Sequence, residues 1–288
     1  MPEARGGATL LRTLLLTSAA MLAFAANSLL CRIALHQRGI DPASFGSIRL
    51  VSGALMLALI VRLRAPPPAP GRRADWIAVV MLFAYVAFFS FAYVNLSAGT
   101  GALILFGAVQ LTMFSVGLRA GERFGLVAWT GLIAASAGLV YLVSPGVTAP
   151  PLVGAVLMAA AGVAWGVYSL RGRGVADPLV ASASNFVRAA PLALVLSAVF
   201  AADAHGDAAG ITLAIASGAI TSGLGYVIWY SALPGLSALQ AATVQLSVPL
   251  IAAVGGVVFL SEAITPRLAA ASVAILGGIA LVLTSKGR

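Results

Sequence analysis

Apolar runs recur along the whole of this chain, and the breaks between them are too short to hold a folded domain. Each run is about 20 residues long, the length a helix needs to cross the roughly 30 Å hydrocarbon core of a bilayer. Ten are read, at 13–34, 43–62, 75–96, 99–118, 125–143, 152–171, 179–200, 210–230, 237–260 and 267–284. Turn-forming residues punctuate the breaks, as in "APPPAPG", "SAGTG", "SPGVTAPP" and "LPGLS". Lipid offers no hydrogen bonds, so a run inside it must satisfy its own backbone, which a helix does. Composition agrees: 61% of the 288 residues are hydrophobic and 9% charged, against about 25% charged in a soluble domain. The expected fold is an all-α integral membrane protein with ten transmembrane helices.

A net charge of +9 would suit nucleic acid only if the cations formed one basic face. They do not cluster. With the N-terminus placed inside, alternate loops hold 12 of the 17 cations on the inner side, 3 outside and 2 (Arg49 and Arg188) within spans. Cations collect in cytoplasmic loops, so both termini are expected in the cytoplasm of a bacterial-type inner membrane. Arg32, Arg38 and Arg267 are the three assigned outside. The start, "RTLLLTSAAMLAFAAN", resembles a signal peptide, but the repeat described next needs it as an uncleaved first span. One cysteine, Cys31, and two histidines exclude a disulfide framework or a Cys-based zinc cluster. No GxSxG, HExxH, GxxxxGK[ST] or strand-linked GxGxxG motif is present. The expectation is no enzyme, no cofactor, no metal and no obligatory protein partner.

The chain repeats itself. "DP" at Asp41 recurs at Asp177, 136 residues later, each followed by an arginine, Arg49 and Arg188, in apolar surroundings. "VQL" at 109–111 recurs at 244–246, Glu122 matches Glu262, and Gly138 matches Gly278, all in the same order. Two units are therefore expected, 1–145 with spans 1–5 and 146–288 with spans 6–10. Five is odd, so the second unit enters the membrane from the opposite side. Inverted repeats of this kind underlie many secondary transporters, whose substrate site lies near the midplane between the halves.

These features resemble the EamA type of the drug/metabolite transporter superfamily. "FAANSLLCRIAL", "RLVSGALMLALI" and "WGVYSLRGRG" look most like the YddG-like amino-acid exporters within it. The resemblance implies a carrier exporting amino acids, aromatic or neutral ones, and similar amphipathic metabolites by alternating access. Drugs, nucleobases or sugar nucleotides are the alternative cargo; a receptor or intramembrane enzyme is the reading outside transport.

Polar groups within a bilayer are costly and face a protein interior or a watery cavity. Asn27, Tyr85, Tyr93, Gln110, Trp165, Tyr168 and Gln245 are on that ground expected to line a substrate cavity, or else to join helices. Trp76, Trp129, Trp229 and Tyr230 read as interfacial anchors. Pro191 and Pro249 fall inside apolar runs and read as hinges. At 1.5 Å per residue Arg49 lies roughly 9 Å and Arg188 roughly 14 Å into its span. Each reads either as a partner of Asp41 or Asp177 or of helix-end carbonyls, or as the seat of a substrate carboxylate. All eight acidic residues fall in termini, loops or span ends, which favours facilitated diffusion over a proton relay.

Overall fold

The computed structural model describes residues 3–64, 74–119, 121, 125–172, 175–233, 236 and 244–285. Glu122, assigned to the inner side as the partner of Glu262, lies outside the described residues, as does the start of the ninth run, 237–243.

Among the described residues the main helices follow in the order α1 (Glu3–His36), α2 (Pro42–Leu63), α3 (Trp76–Tyr93), α4 (Ala98–Arg119) and α5 (Leu126–Val143). Then come α6 (Leu152–Arg171), α7 (Pro178–Val199), α8 (Ala208–Ala232), α9 (Ser247–Leu260) and α10 (Pro266–Ser285). Among the described residues eight helices are long and apolar enough to cross a membrane, and two shorter apolar ones, Ser247–Leu260 and Pro266–Val282, complete the set. No strand occurs among these residues. The expected ninth span, 237–260, is a described helix only from Ser247.

The two Asp-Pro elements have a local cause. Asp41 and Asp177 are N-caps of α2 and α7: their carboxylates accept the backbone N–H of Ser44 (2.8 Å) and Val180 (3.2 Å). Pro42 and Pro178 take the first helical position, where a missing N–H costs nothing. Asp75 and Asp207 cap α3 and α8 in the same way.

Among the described residues the most extensive helix contacts pair up when each helix is exchanged for the one five places on. Thus α3 packs on α6 as α8 packs on α1, and α4 on α6 as α9 on α1. The pairs α2 with α7, α4 with α9 and α5 with α10 map onto themselves. The contacts of α1 with α3, α1 with α4, α4 with α5 and α4 with α10 have no such counterpart. The α5–α10 pair is closest at Gly131 and Gly278, where a Cβ on either would strike the other's backbone carbonyl. Backbone cannot give way as a side chain can, so Gly131→Val is expected to part these helices. A loss of about 1–3 kcal/mol is expected, measurable as earlier unfolding in detergent.

At the end of the bundle holding Asp41, Ile40 forms an isolated antiparallel bridge with Gly206. The Asp41 N–H donates to His205 O (3.1 Å), and the His205 N–H donates to the Asp41 carboxylate (3.1 Å). At the opposite end Arg64 pairs with Asp177 (2.5 Å) and Arg171 with Asp75 (2.7 Å), all four side chains about a third exposed or more. The hydrogen bond from Arg171 holds the Asp75 carboxyl below its ordinary value, slight burial opposing. A lowered carboxyl contributes stability above its unfolded pKa of about 3.9 and loses it as pH falls through the folded value. This pair therefore stays formed throughout the neutral range.

Candidate functional site

A cavity opens in the middle of the bundle, walled by side chains from six helices. Phe24, Asn27 and Ser28 come from α1, Arg49 from α2, and Tyr85 and Phe89 from α3. Leu105 and Phe106 of α4, Trp165 of α6, and Thr221, Ser222 and Tyr226 of α8 close it. Its volume is about 30 Å³. A water needs roughly 10–15 Å³ by this measure, so the chamber has room for a water or two and admits a solute only when its walls move apart.

The walls are aromatic. The Trp165 ring lies 4.9 Å from Tyr85 and 5.5 Å from both Tyr168 and Tyr226, centroid to centroid. Tyr85 and Phe89 lie 5.3 Å apart. Such tilted and edge contacts fix the rings at little entropic cost and present flat apolar surface.

Arg49 sits at the polar corner and is only 2% exposed. Its Nε donates to Ser222 Oγ (3.2 Å) and its Nη2 to the Tyr85 hydroxyl (3.1 Å). Its guanidinium carbon lies 5.1 Å and 4.9 Å from the Tyr85 and Phe89 ring centroids. Contacts of that kind contribute about 0.5–2 kcal/mol each, against a burial penalty of several kcal/mol for an ion. None supplies a counter-charge, and Nη1 is buried without any hydrogen-bond partner. The expected partnership with Asp41 does not occur, because that carboxylate is spent on its own helix cap and on His205.

A wider turn in α8 brings its hydroxyls here. Residues Ala216–Leu224 are π-helical, a local form frequent at functional sites. Gly218 has no Cβ to strike Arg49 O or Ser52 Oγ, so α2 and α8 approach closely. Within this segment Ser217 donates to Asn27 Oδ1 (2.7 Å), and the Thr221 hydroxyl, 3.2 Å from the same oxygen, lies closer to the Ser217 carbonyl (2.8 Å). Small residues at this density, "ASGAITSGL", are the only hint of it in the sequence.

Of the residues singled out from the sequence, Asn27, Arg49, Tyr85 and Trp165 meet in this cavity. Tyr168 stands behind Trp165. Tyr93 packs edge-on against Phe89 (4.7 Å) and donates to Ala98 O (3.3 Å), which makes it wall support. Gln110 is half-buried on α4 and Gln245 lies in the turn before α9; neither lines the cavity. Arg188 does not reach it: its Nη1 donates to the Ser184 carbonyl (3.1 Å) and hydroxyl, one turn earlier in α7. Asp177 pairs with Arg64 instead. Pro191 lies within α7, and Pro249 sits in the first turn of α9, just after the turn at 245–246, where its missing N–H costs no bond. Tyr226 and Ser222 were not singled out. Tyr226, next to Trp229 and Tyr230 in the general area of a span end, meets Trp165, Phe186 and Phe24. Trp229, expected as an anchor, packs on Phe24 at 6.0 Å.

Arg32 also departs from expectation. It belongs to α1, not to an outer loop, and is 9% exposed. It pairs with Glu262 (3.1 Å) and donates to Tyr93 O and Val94 O (3.1 and 3.0 Å). The other Glu262 oxygen accepts the Ala98 N–H at the start of α4 (2.8 Å).

The EamA-like transporter family model matches residues 11–144 and again 152–284. The chain belongs to the EamA-like transporter family. It is 55% identical over 275 residues to an uncharacterized protein of Pseudomonas aeruginosa, covering 96% of each chain. An uncharacterized transporter of Archaeoglobus fulgidus is 24% identical over 265 residues, covering 86% of this chain and 91% of that one. A solved crystal structure shares the fold with a TM-score of 0.66 at 20% identity, covering 94% of this chain and 97% of that one. Family membership makes this a multi-pass membrane protein of a transporter family.

Proposed function

We propose that this EamA-family chain is a carrier exporting amino acids, aromatic and neutral ones, and similar amphipathic metabolites by alternating access. The observation that carries the reading is a buried guanidinium with a free N–H in an aromatic-walled cavity between the halves. A carboxylate can take the guanidinium and the rings can take an apolar side chain. Residues 1–145 and 146–288 act as two inverted units. The twice-matching family model and the most extensive helix contacts, which pair up on exchange of the halves, support this. Both termini face the cytoplasm of a bacterial-type inner membrane, so the end with Arg64 and Arg171 is inner and the end with Glu262 outer. Pro191 serves as a hinge in α7, and Pro249 one at the start of α9. Arg188, Gln110, Gln245, Tyr93 and Tyr168 act on the substrate only through the cavity wall or in another conformation.

Liposomes holding the purified protein are expected to take up labelled neutral and aromatic amino acids above empty liposomes. Drugs and nucleobases added as competitors test the alternative cargo. No amino-acid flux would overturn the reading. None of the described cavity-lining residues is acidic, so transport is expected to run down the substrate gradient. Flux that responds strongly to an imposed pH gradient would show proton coupling instead.

A further inference from the structure

The described lining of the cavity is rich in hydrogen-bond donors and holds no anionic acceptor. Arg49 Nη1 is buried and unpartnered. The Tyr85 and Ser222 hydroxyls already accept from Arg49, which leaves each with its own proton to donate. Asn27 Oδ1 accepts from Ser217 (2.7 Å), while the single Thr221 proton has its shorter contact with the Ser217 carbonyl (2.8 Å against 3.2 Å). A substrate carboxylate would find three donors there. Among the described lining residues a substrate ammonium would find no carboxylate, only neutral hydroxyl and amide oxygens and ring faces, two of which Arg49 already shares.

The charge balance points the same way. Arg49 carries one positive charge and no acid lines the cavity. A zwitterion leaves that charge uncompensated, whereas a monoanion cancels it in a low-dielectric site where an unpaired charge is costly. Hydrogen-bond donors and net charge both favour the carboxylate half of an amino acid over the ammonium half.

Resting on the proposed substrate site, we infer that it selects net monoanions: carboxylates on a flat apolar body, with Arg49 Nη1, Tyr85 and Ser222 as the carboxylate seat and no recognition of an α-ammonium. Aryl-alkyl carboxylates without the amino group are the class of ligand it fits best, ahead of the matching amino acids. Export of such an anion moves negative charge out of the cell and is assisted by an inside-negative potential.

Three probes that differ only in their charged groups decide this on the unaltered protein. They are 3-phenylpropionate (carboxylate only), phenylalanine (both groups) and phenethylamine (ammonium only). Binding to the detergent-solubilised protein is measured by calorimetry, and flux in liposomes in parallel. Phenylpropionate is expected to bind at least about ten-fold more tightly than phenylalanine, and phenethylamine not at all. Arg49→Gln is expected to remove phenylpropionate binding, and Arg49→Lys to keep part of it. Equal or tighter binding of phenylalanine, or any binding of phenethylamine comparable to that of the acid, would overturn the inference. The two readings fail separately. Phenylalanine flux without phenylpropionate binding would keep the amino-acid carrier and sink the anion preference. Phenylpropionate binding and flux with no amino-acid flux would do the reverse.

Discussion

Arg49→Gln is expected to cut flux through the protein by at least about ten-fold, the equivalent of 1.4 kcal/mol, while leaving thermal stability unchanged or raised. The two signs together distinguish a functional arginine from a structural one. A structural arginine in a buried ion pair leaves its partner stranded when removed, and stability falls by about 3–5 kcal/mol. Arg49 has no charged partner to strand: its ligands are two hydroxyls and two rings. Its substitution by a neutral amide of smaller volume instead removes a buried charge and an orphaned N–H. The lost cation–π contacts, about 0.5–2 kcal/mol each, are offset by the desolvation no longer required. A residue that lowers stability and is retained for activity is a common form of stability–function trade-off. The check is a pair of measurements on one preparation, flux in liposomes and the unfolding midpoint in detergent. A lower midpoint with unchanged flux would make Arg49 a structural residue.

Much of the fold could be read from the sequence because the physics behind it is one-dimensional. Run length set by bilayer thickness locates the helices, and Asp-Pro marks the starts of α2 and α7 because capping is a local act. The site was legible only in part. Asn27, Tyr85 and Trp165 stand out as polar or amphipathic residues in mid-run, and all three line the cavity. Gln110, by the same criterion, is half-buried on α4 beyond it, since depth along a helix says nothing about which face a residue occupies. The runs are apolar all round, so no amphipathic stripe distinguishes inward from lipid-facing positions. Arg49 and Arg188 show the limit most clearly. Each follows an Asp-Pro helix start within an apolar run, Arg49 eight residues after Asp41 and Arg188 eleven after Asp177, yet one turns into the cavity and the other back on Ser184. Tyr226 was hidden beside Trp229 and Tyr230, which read together as a belt, and the π-helical turn that presents Ser222 has no sequence signature beyond small residues.

Glu262→Gln is expected to destabilise the protein by about 2–4 kcal/mol, far more than removal of either exposed ion pair at the opposite end. Arg32 and Glu262 have side chains only 10% and 15% exposed, so little water is available to replace a lost partner. Glu262 also holds two elements at once. One oxygen pairs with Arg32 of α1 and the other caps α4 through the Ala98 N–H. Arg32 in turn takes the last carbonyls of α3, at Tyr93 and Val94. An amide in place of this carboxylate would keep one acceptor and present two protons to a group that needs none. Arg32 would then retain its charge in a nearly closed setting with only carbonyls to balance it. Arg64→Ala, by contrast, breaks a pair whose side chains are 46% and 35% exposed, and such pairs contribute about 0–1 kcal/mol. Arg32→Ala combined with Glu262→Ala is expected to be less damaging than the sum of the single changes, since each single change strands the other group. Unfolding in detergent across the four proteins of that cycle measures the coupling. Strict additivity would mean that the two side chains are solvated independently and that α1, α4 and the α9–α10 turn are held together by packing alone.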